Sequence, residues 1–162
     1  MKRRISSESV LSVAAIFVGA LVLGLVFWSV RGTDPMWAII SFVLVYDTDA
    51  RAAAAAGWSR LGLTILGSVL AMGAVFGFGL HKWTLPVSLA VSAALCAGFL
   101  RSRAGWRVVL VTVALIVGSS ILQPELGPYI AVTRSIEVAC GSALAIAFSW
   151  IVSRWSARDA EQ

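Results

Sequence analysis

Residues 59–71 read SRLGLTILGSVLA, and residues 133–145 read TRSIEVACGSALA. Both stretches follow one pattern: Ser or Thr, Arg, six variable residues, Gly-Ser, one variable residue and Leu-Ala. Each opens a long apolar segment, one in each half of the chain. The shared order and spacing predict two related halves with three membrane crossings each. Three crossings per half give the halves opposite orientations in the membrane, which is the inverted repeat of many secondary transporters.

The composition of the chain also indicates a membrane protein. Of 162 residues, 59% are hydrophobic and 13% are charged, and the mean hydropathy is +0.90. Soluble domains carry about 25% charged residues, so nearly the whole chain is expected in lipid, without a soluble catalytic domain. Cys96 and Cys140 lack the spacing of a disulfide or metal site. The chain has no nucleotide-binding, metalloprotease or serine-hydrolase motif, so we expect a protein that is not an enzyme and binds no metal or cofactor.

Six apolar segments predict an all-α integral membrane protein with six transmembrane segments in one domain. The half-repeats cover about residues 8–80 and 84–153, and residues 154–162 form a short cytoplasmic tail. The second and fifth segments are predicted to be short or broken. The second covers only about 16 Å at the helical rise, and the fifth is interrupted at Gly118-Ser119-Ser120. The predicted segments are 10–30, 36–46, 61–80, 84–100, 108–122 and 129–153.

The net charge of +5 is explained by membrane orientation rather than by nucleic acid binding. With six crossings, ten basic residues fall on the side of the N-terminus and two, Arg31 and Lys82, on the other. The positive-inside rule then predicts a multi-pass protein of the bacterial inner membrane, in contact with membrane lipid, with both termini cytoplasmic. The ten are Lys2, Arg3, Arg4, Arg51, Arg60, Arg101, Arg103, Arg107, Arg154 and Arg158.

Two acidic residues follow the second segment directly. If that segment starts at the outer interface at Pro35, its eleven residues bring Asp47 and Asp49 close to the bilayer midplane. A carboxylate there costs about 2.5–3.5 kcal/mol, which favours a functional role, here proton coupling. The alternative is that the second helix continues through Arg51, and that the carboxylates pair with Arg51 or Arg60 and hold helices together.

Uncharged polar groups mark the predicted break in the fifth segment. Ser119, Ser120 and Gln123 are candidates to hydrogen-bond a ligand, and equally to cap a helix end.

Arg134 and Glu137 lie three residues apart in the sixth segment and therefore share a helix face. They lie about 8 Å and about 12 Å into that segment at the helical rise. One interpretation is an ion pair within the helix that faces a neighbouring helix. The other is that Arg134 binds an anionic substrate while Glu137 carries protons. Arg60 holds the matching position in the third segment, from the opposite leaflet.

A family resemblance covers most of the chain. Residues 35–45, PMWAIISFVLV, followed by Arg60 and Gly67, resemble the first half of the fusaric-acid-resistance-like domain of the aromatic acid exporter family. Arg134, Glu137 and Gly141 resemble its closing motif, Arg-x2-(Asp/Glu)-x3-Gly. The resemblance implies efflux of aromatic carboxylic acids and similar organic anions across the inner membrane, driven by the proton gradient. Distantly similar plant malate channels work as dimers of six-helix subunits, which implies a homodimer.

Residues and resemblance together predict an exporter of organic anions, aromatic carboxylates above all. Arg60 and Arg134 supply the positive field, and Asp47, Asp49 and Glu137 are the proton-coupling candidates. Two alternatives stay open: a passive anion channel at a dimer interface, and a non-transporting membrane scaffold whose charges only hold helices together. Tyr46 and Trp37 are the candidates to stack on an aromatic ring of the substrate. For Trp37, the alternative is an anchor at the membrane interface.

Overall fold

The computed structural model of the chain describes residues 7–29, 35–100 and 103–159, and all regular structure in these ranges is helical. The all-α prediction is confirmed. A 3-10 turn, Pro124–Leu126, precedes the last helix. The α-helices, in chain order, are α1 (Ser7–Trp28), α2 (Pro35–Val45), α3 (Ala50–Phe78), α4 (Thr84–Phe99), α5 (Arg103–Leu122) and α6 (Gly127–Asp159).

Within these ranges, four helices are long and apolar enough to cross a membrane: α1, α3, α5 and α6. The other two are shorter, with 11 residues in α2 and 16 in α4. The short second segment is thus confirmed. Among the basic residues that predict the orientation, five lie outside the described residues: Lys2, Arg3, Arg4, Arg31 and Arg101.

The predicted break in the fifth segment is wrong, because α5 continues without interruption to Leu122. The hydroxyl of Ser120 donates to the carbonyl of Ile116 at 2.7 Å, and the amide of Gln123 donates to the carbonyl of Ser119 at 2.8 Å. A serine whose hydroxyl bonds within its own helix leaves no polar group for lipid to meet. The small polar residues at 118–120 are therefore compatible with a continuous helix.

Two boundaries also differ from the prediction. α3 begins at Ala50, eleven residues before the predicted start, and takes in the alanine run 52–56. The second helix does not continue through this run, since α2 ends at Val45. At the other end of the chain, α6 extends to Asp159, so residues 154–159 of the predicted tail are helical.

The described chain divides into two compact units, and each unit takes helices from both halves of the sequence. The first unit comprises residues 7–58 and 137–159, which supply α1, α2, the start of α3 and most of α6. The second unit comprises residues 59–136, which supply the rest of α3, α4, α5 and the start of α6.

In the first unit, α2 packs between α1 and α6. A Cβ added to Gly19 of α1 would overlap the ring of Phe42, and one added to Gly141 of α6 would overlap the carbonyl oxygen of Ala38. Gly19 makes room for the Phe42 ring, and Gly141 lets the backbones of α6 and α2 approach closely. Such close packing at small residues stabilises helix association in lipid. The buried apolar side chains around α2 are Leu23, Phe27, Ala38, Phe42, Val45 and Ala145.

In the second unit, two helices also approach closely at a glycine. A Cβ added to Gly67 of α3 would lie 2.7 Å from Cβ of Thr112 and 3.0 Å from the carbonyl oxygen of Val109, both on α5. In the first unit, the Cβ added to Gly141 meets Ala38 and Ser41, which precede Val109 and Thr112 by the same 71 positions. The two glycines of the sequence pattern therefore make equivalent contacts. Around α5 the buried apolar side chains are Ala71, Cys96, Val109, Val113, Ile116, Val117 and Ala131.

A glycine turn ends α3 and orients α4. Gly79 has a φ of 72°, a left-handed conformation that favours glycine after a helix C-terminus. The hydroxyl of Thr84 donates to the carbonyl of Gly79 at 2.7 Å and accepts the amide of His81 at 3.3 Å. Small buried residues then recur every fourth position along α4, so a neighbouring helix can approach it closely. They are Thr84, Ser88, Ser92 and Cys96.

The close contact at Gly67 is open to a matched test within one helix. We expect Gly67→Ala to lower the free energy of unfolding by about 1–3 kcal/mol, because the added methyl overlaps Thr112. Gly73→Ala, at an exposed position with no atom within 4 Å of the added Cβ, should leave stability unchanged or raise it by up to about 1 kcal/mol. Thermal unfolding in detergent measures both, and equal effects of the two substitutions would contradict the contact.

Candidate functional site

In the first unit, the most buried charged group is the carboxyl of Glu137, whose side chain is 3% exposed. Glu137 lies one helical turn before Gly141, the residue that brings α6 onto the backbone of α2 at Ala38. Trp37 precedes Ala38 in α2 and is half-buried. Glu137, Trp37 and Ser41 each interact with another group of the protein. A predicted proton-coupling residue and a predicted ring-stacking residue therefore flank the same helix contact.

Asp47 and Asp49 lie elsewhere in this unit. The amide of Asp47 donates to the hydroxyl of Ser149 on α6 at 3.1 Å. Ser149 immediately precedes Trp150, a half-exposed ring that carries the guanidinium of Arg154 at 3.7 Å from its centroid. A tryptophan beside an arginine near a helix end is typical of a membrane interface.

This contact shows which part of α6 lies beside the acidic pair. α2 begins beside Gly141 and ends beside Ser149, which is eight residues or about 12 Å further along α6. Asp47 therefore contacts α6 towards the C-terminal end of its apolar segment, Gly127–Trp155, and its position at the midplane stays a prediction. The expectation of a midplane position depended on Pro35 lying at the outer interface, whereas α2 starts about half-way along α6.

The two carboxylates organise the start of α3. One oxygen of Asp49 accepts the amide of Arg51 at 2.9 Å, and its carbonyl accepts the amide of Ala53 at 3.0 Å, so Asp49 is the N-cap of α3. An oxygen of Asp47 accepts the amide of Asp49 at 2.9 Å. Both side chains are exposed. These bonds explain why the chain stops α2 and restarts as α3; proton coupling by the pair stays a prediction.

Tyr46 belongs to an aromatic group between α2 and α6. Its ring stacks on Phe42 with centroids 5.9 Å apart, and Phe42 meets Phe148 edge-on at 5.7 Å. The Tyr46 hydroxyl is buried and has no hydrogen-bond partner among the described residues. The ring that was predicted to stack on a substrate thus already stacks on the protein, and its hydroxyl is the group left for a ligand.

The second unit holds the other predicted residues. Arg60 on α3 and Arg134 on α6 are half-buried, and each interacts with another group of the protein. Ser120 is buried and bonded within α5, as described above, while Ser119 is half-buried. Gln123 is exposed and makes no side-chain cap of the following turn. Among the basic residues of this unit whose burial is described, these two are the half-buried ones, and their role in binding an anion stays a prediction.

Two serines were not singled out by the sequence prediction although they belong to the repeated pattern. Ser68 and Ser142 follow the contact glycines Gly67 and Gly141 and are 8% and 4% exposed. Neither hydroxyl has a hydrogen-bond partner within the described ranges. An unpaired buried hydroxyl costs about 1–3 kcal/mol, so a polar group that reaches either one gains a hydrogen bond. The Gly-Ser pair that recurs in the two halves was the available signal.

No three His, Cys, Asp or Glu side chains within the described part of the chain are grouped so that they could hold a metal ion. What the two units offer is a buried carboxyl, partly buried guanidiniums and unpaired hydroxyls. Such groups bind anions and exchange protons.

Comparison with known proteins places the chain in a family. Residues 14–148 match the fusaric acid resistance protein-like family. The chain belongs to this family. The match includes both repeated stretches and every predicted site residue. No curated protein and no solved structure matches the chain. Membership and the four long apolar helices indicate a multi-pass membrane protein of the transporter type.

Substitution at Asp49 separates a capping role from a role of its charge. Asp49→Ala removes the acceptor for the Arg51 amide, and we expect it to lower the free energy of unfolding by about 1 kcal/mol. Asp49→Asn retains an acceptor and should be nearly neutral. Chemical or thermal unfolding followed by circular dichroism measures the difference. If Asn destabilises the protein as much as Ala does, the carboxylate does more than cap α3.

Proposed function

We propose that this member of the fusaric acid resistance protein-like family exports organic anions, aromatic carboxylates above all, across the bacterial inner membrane in exchange for protons. The observation that carries the proposal is Glu137, an acid 3% exposed in a membrane helix and one helical turn before Gly141, where α6 contacts the α2 backbone. Ionisable groups inside membranes are costly and typically serve substrate pathways or proton relays. The protein is proposed to work as a transporter and not as an enzyme.

Glu137 suits the role of proton carrier for a physical reason. A carboxyl that is 3% exposed in a membrane helix depends strongly on the groups around it, because few other groups there can stabilise its charged form. The α2–α6 contact beside it depends on a glycine, so a small shift of α2 changes the surroundings of the carboxyl. Protonation and helix position are then coupled, which is what an exchanger needs. Asp47 and Asp49, exposed at the start of α3, are the weaker candidates for this role.

Arg60 and Arg134 are proposed to attract the anion. They hold matching positions in the repeated pattern, and both are half-buried in the second unit. A guanidinium in a partly desolvated site binds a carboxylate more strongly than in water, because the effective dielectric constant is lower. Within the first unit, Trp37 stays the candidate for contact with the aromatic part of the substrate, and the Tyr46 hydroxyl, which has no partner among the described residues, is the candidate for a polar substituent.

The inverted repeat is part of the proposal. Its support is the equivalence of the contacts made by Gly67 with α5 and by Gly141 with α2. Six crossings, a homodimer and cytoplasmic termini complete the proposed arrangement; the termini follow from the excess of basic residues on one side. In secondary transporters of this kind, one repeat moves against the other to expose the site alternately to the two sides of the membrane.

Proton coupling is tested with Glu137→Gln, which keeps the size and hydrogen-bonding groups of the side chain but cannot ionise. In proteoliposomes, we expect the wild-type protein to transport aromatic carboxylates faster when a pH gradient is imposed. Glu137→Gln should lose this acceleration. Glu125→Gln is the matched control, because Glu125 is exposed in the turn before α6. Equal wild-type flux with and without the pH gradient would favour the passive channel instead.

The role of the arginines is tested by the concentration dependence of flux. Arg134→Gln and Arg60→Gln each remove a charged hydrogen-bond donor worth about 1.5–3 kcal/mol. We therefore expect the half-saturating substrate concentration to rise roughly 10- to 100-fold. Arg107→Gln, at an exposed position of α5, should leave it unchanged. A lower yield of folded protein with unchanged transport per molecule would indicate that these arginines only hold helices together.

A further inference from the structure

An open groove of about 620 Å³ lies in the first unit between the start of α3 and the C-terminal part of α6. We call it the Trp150 groove. Alanines form its two walls, so the helices stay close while their small side chains leave space between them. The lining includes Ala50, Arg51 and Ala54 of α3 and Ala143, Ala147 and Trp150 of α6.

The apolar groove is bordered by two cations. Arg51 lines it and is exposed. Arg154 is exposed as well, and its guanidinium lies 3.7 Å from the centroid of the Trp150 ring, a cation–π contact that holds the charge at the edge of the groove. An apolar groove bordered by two cations matches a molecule with an apolar chain and an anionic head.

Two carboxylates precede the groove in sequence, and their contacts limit their effect on it. One oxygen of Asp47 and one of Asp49 accept backbone amides at the start of α3. The N-terminus of α3 also carries the positive end of the helix dipole. The two arginines and the two carboxylates balance in formal charge, but Arg51 lines the groove and neither aspartate does, so the attraction of an anion depends on the arginines beside the groove and on the positive end of the helix dipole.

We propose that the Trp150 groove binds one anionic phospholipid, with an acyl chain against the alanine walls and the phosphate on Arg51 and Arg154. Trp150 marks an interfacial level, where lipid phosphates lie. Basic pockets between membrane helices are typical sites for anionic lipid headgroups. The site is separate from Glu137 and from the transport that is proposed for it, so transport can fail while lipid binding holds.

A second copy of the chain fits the groove less well. In a two-fold contact through this surface, each copy would bring its own Arg51 and Arg154 against those of the other. Like charges in direct opposition weaken such an interface. An anionic headgroup instead neutralises both arginines, and a zwitterionic lipid of equal chain length does so less completely because it has no net charge.

Native mass spectrometry of the delipidated full chain, titrated with phosphatidylglycerol or with phosphatidylcholine of the same acyl chains, tests the proposal. We expect tighter binding of phosphatidylglycerol. Arg51→Gln and Arg154→Gln should each weaken it about five-fold, while Arg154→Lys, which keeps the charge, and Arg107→Gln, an exposed arginine of the second unit, should not. Equal binding of the two lipids by the wild type would overturn the proposal.

The groove itself is tested by filling it. Ala147→Phe should abolish the preference for phosphatidylglycerol with both arginines in place. If this variant folds poorly, Ala54→Leu fills the groove from the opposite wall. A filled groove that keeps the wild-type preference would overturn the proposal. So would displacement of the lipid by glycerol 3-phosphate at the same concentration, because the phosphate alone would then account for binding.

A disulfide test addresses the second copy. In a chain with Cys96→Ala and Cys140→Ala, a cysteine introduced by Ala147→Cys should stay unlinked between chains in vesicles that contain phosphatidylglycerol. An efficient chain-to-chain disulfide through this position would place a second copy in the groove and overturn lipid binding there.

Discussion

The packing of glycine against a neighbouring backbone is the constraint on which both units depend. In lipid, moving an apolar side chain from the acyl chains into a helix contact changes its free energy little. Helices therefore associate through close van der Waals contact and through polar groups. Gly141 meets α2 at the carbonyl of Ala38, and Gly67 meets α5 at Val109 and Thr112. A single methyl at either position would separate these helices. The residues beside the contacts, Glu137 above all, have their surroundings defined by this close approach.

The break between α2 and α3 shows how the chain handles charge near the membrane. Asp49 caps α3 and Asp47 supports Asp49, so the backbone groups freed by the break are satisfied where two helices end. The contact of Asp47 with Ser149 places this break at the level of Trp150 and Arg154. The carboxylates at this break are exposed and so keep their hydration, whereas the carboxyl of Glu137 is buried. The same interfacial level supplies the arginines and the tryptophan that border the Trp150 groove.

Much of the helical order could be predicted because apolar length is a local property. The fourth segment, predicted as 84–100, is observed as Thr84–Phe99, and the short second segment as Pro35–Val45. Local reasoning was wrong where polar residues serve the helix they belong to. Ser120 bonds to Ile116 inside α5 and breaks nothing. The alanines after Arg51 extend α3 because Asp49, just before them, caps a new helix.

Sequence alone determined the membrane class, the helical segments, the family and the repeated glycines, since each follows from composition or from short ordered patterns. Only the tertiary structure decided which charges are buried. Asp47 and Glu137 look alike in the sequence, as acids within apolar surroundings, but the side chain of Asp47 is exposed while that of Glu137 is 3% exposed. The tertiary structure also decided that the hydroxyls of Ser68 and Ser142 are buried without a hydrogen-bond partner among the described residues. Burial and hydrogen-bond satisfaction depend on which helices meet, and residues far apart in the chain make those contacts.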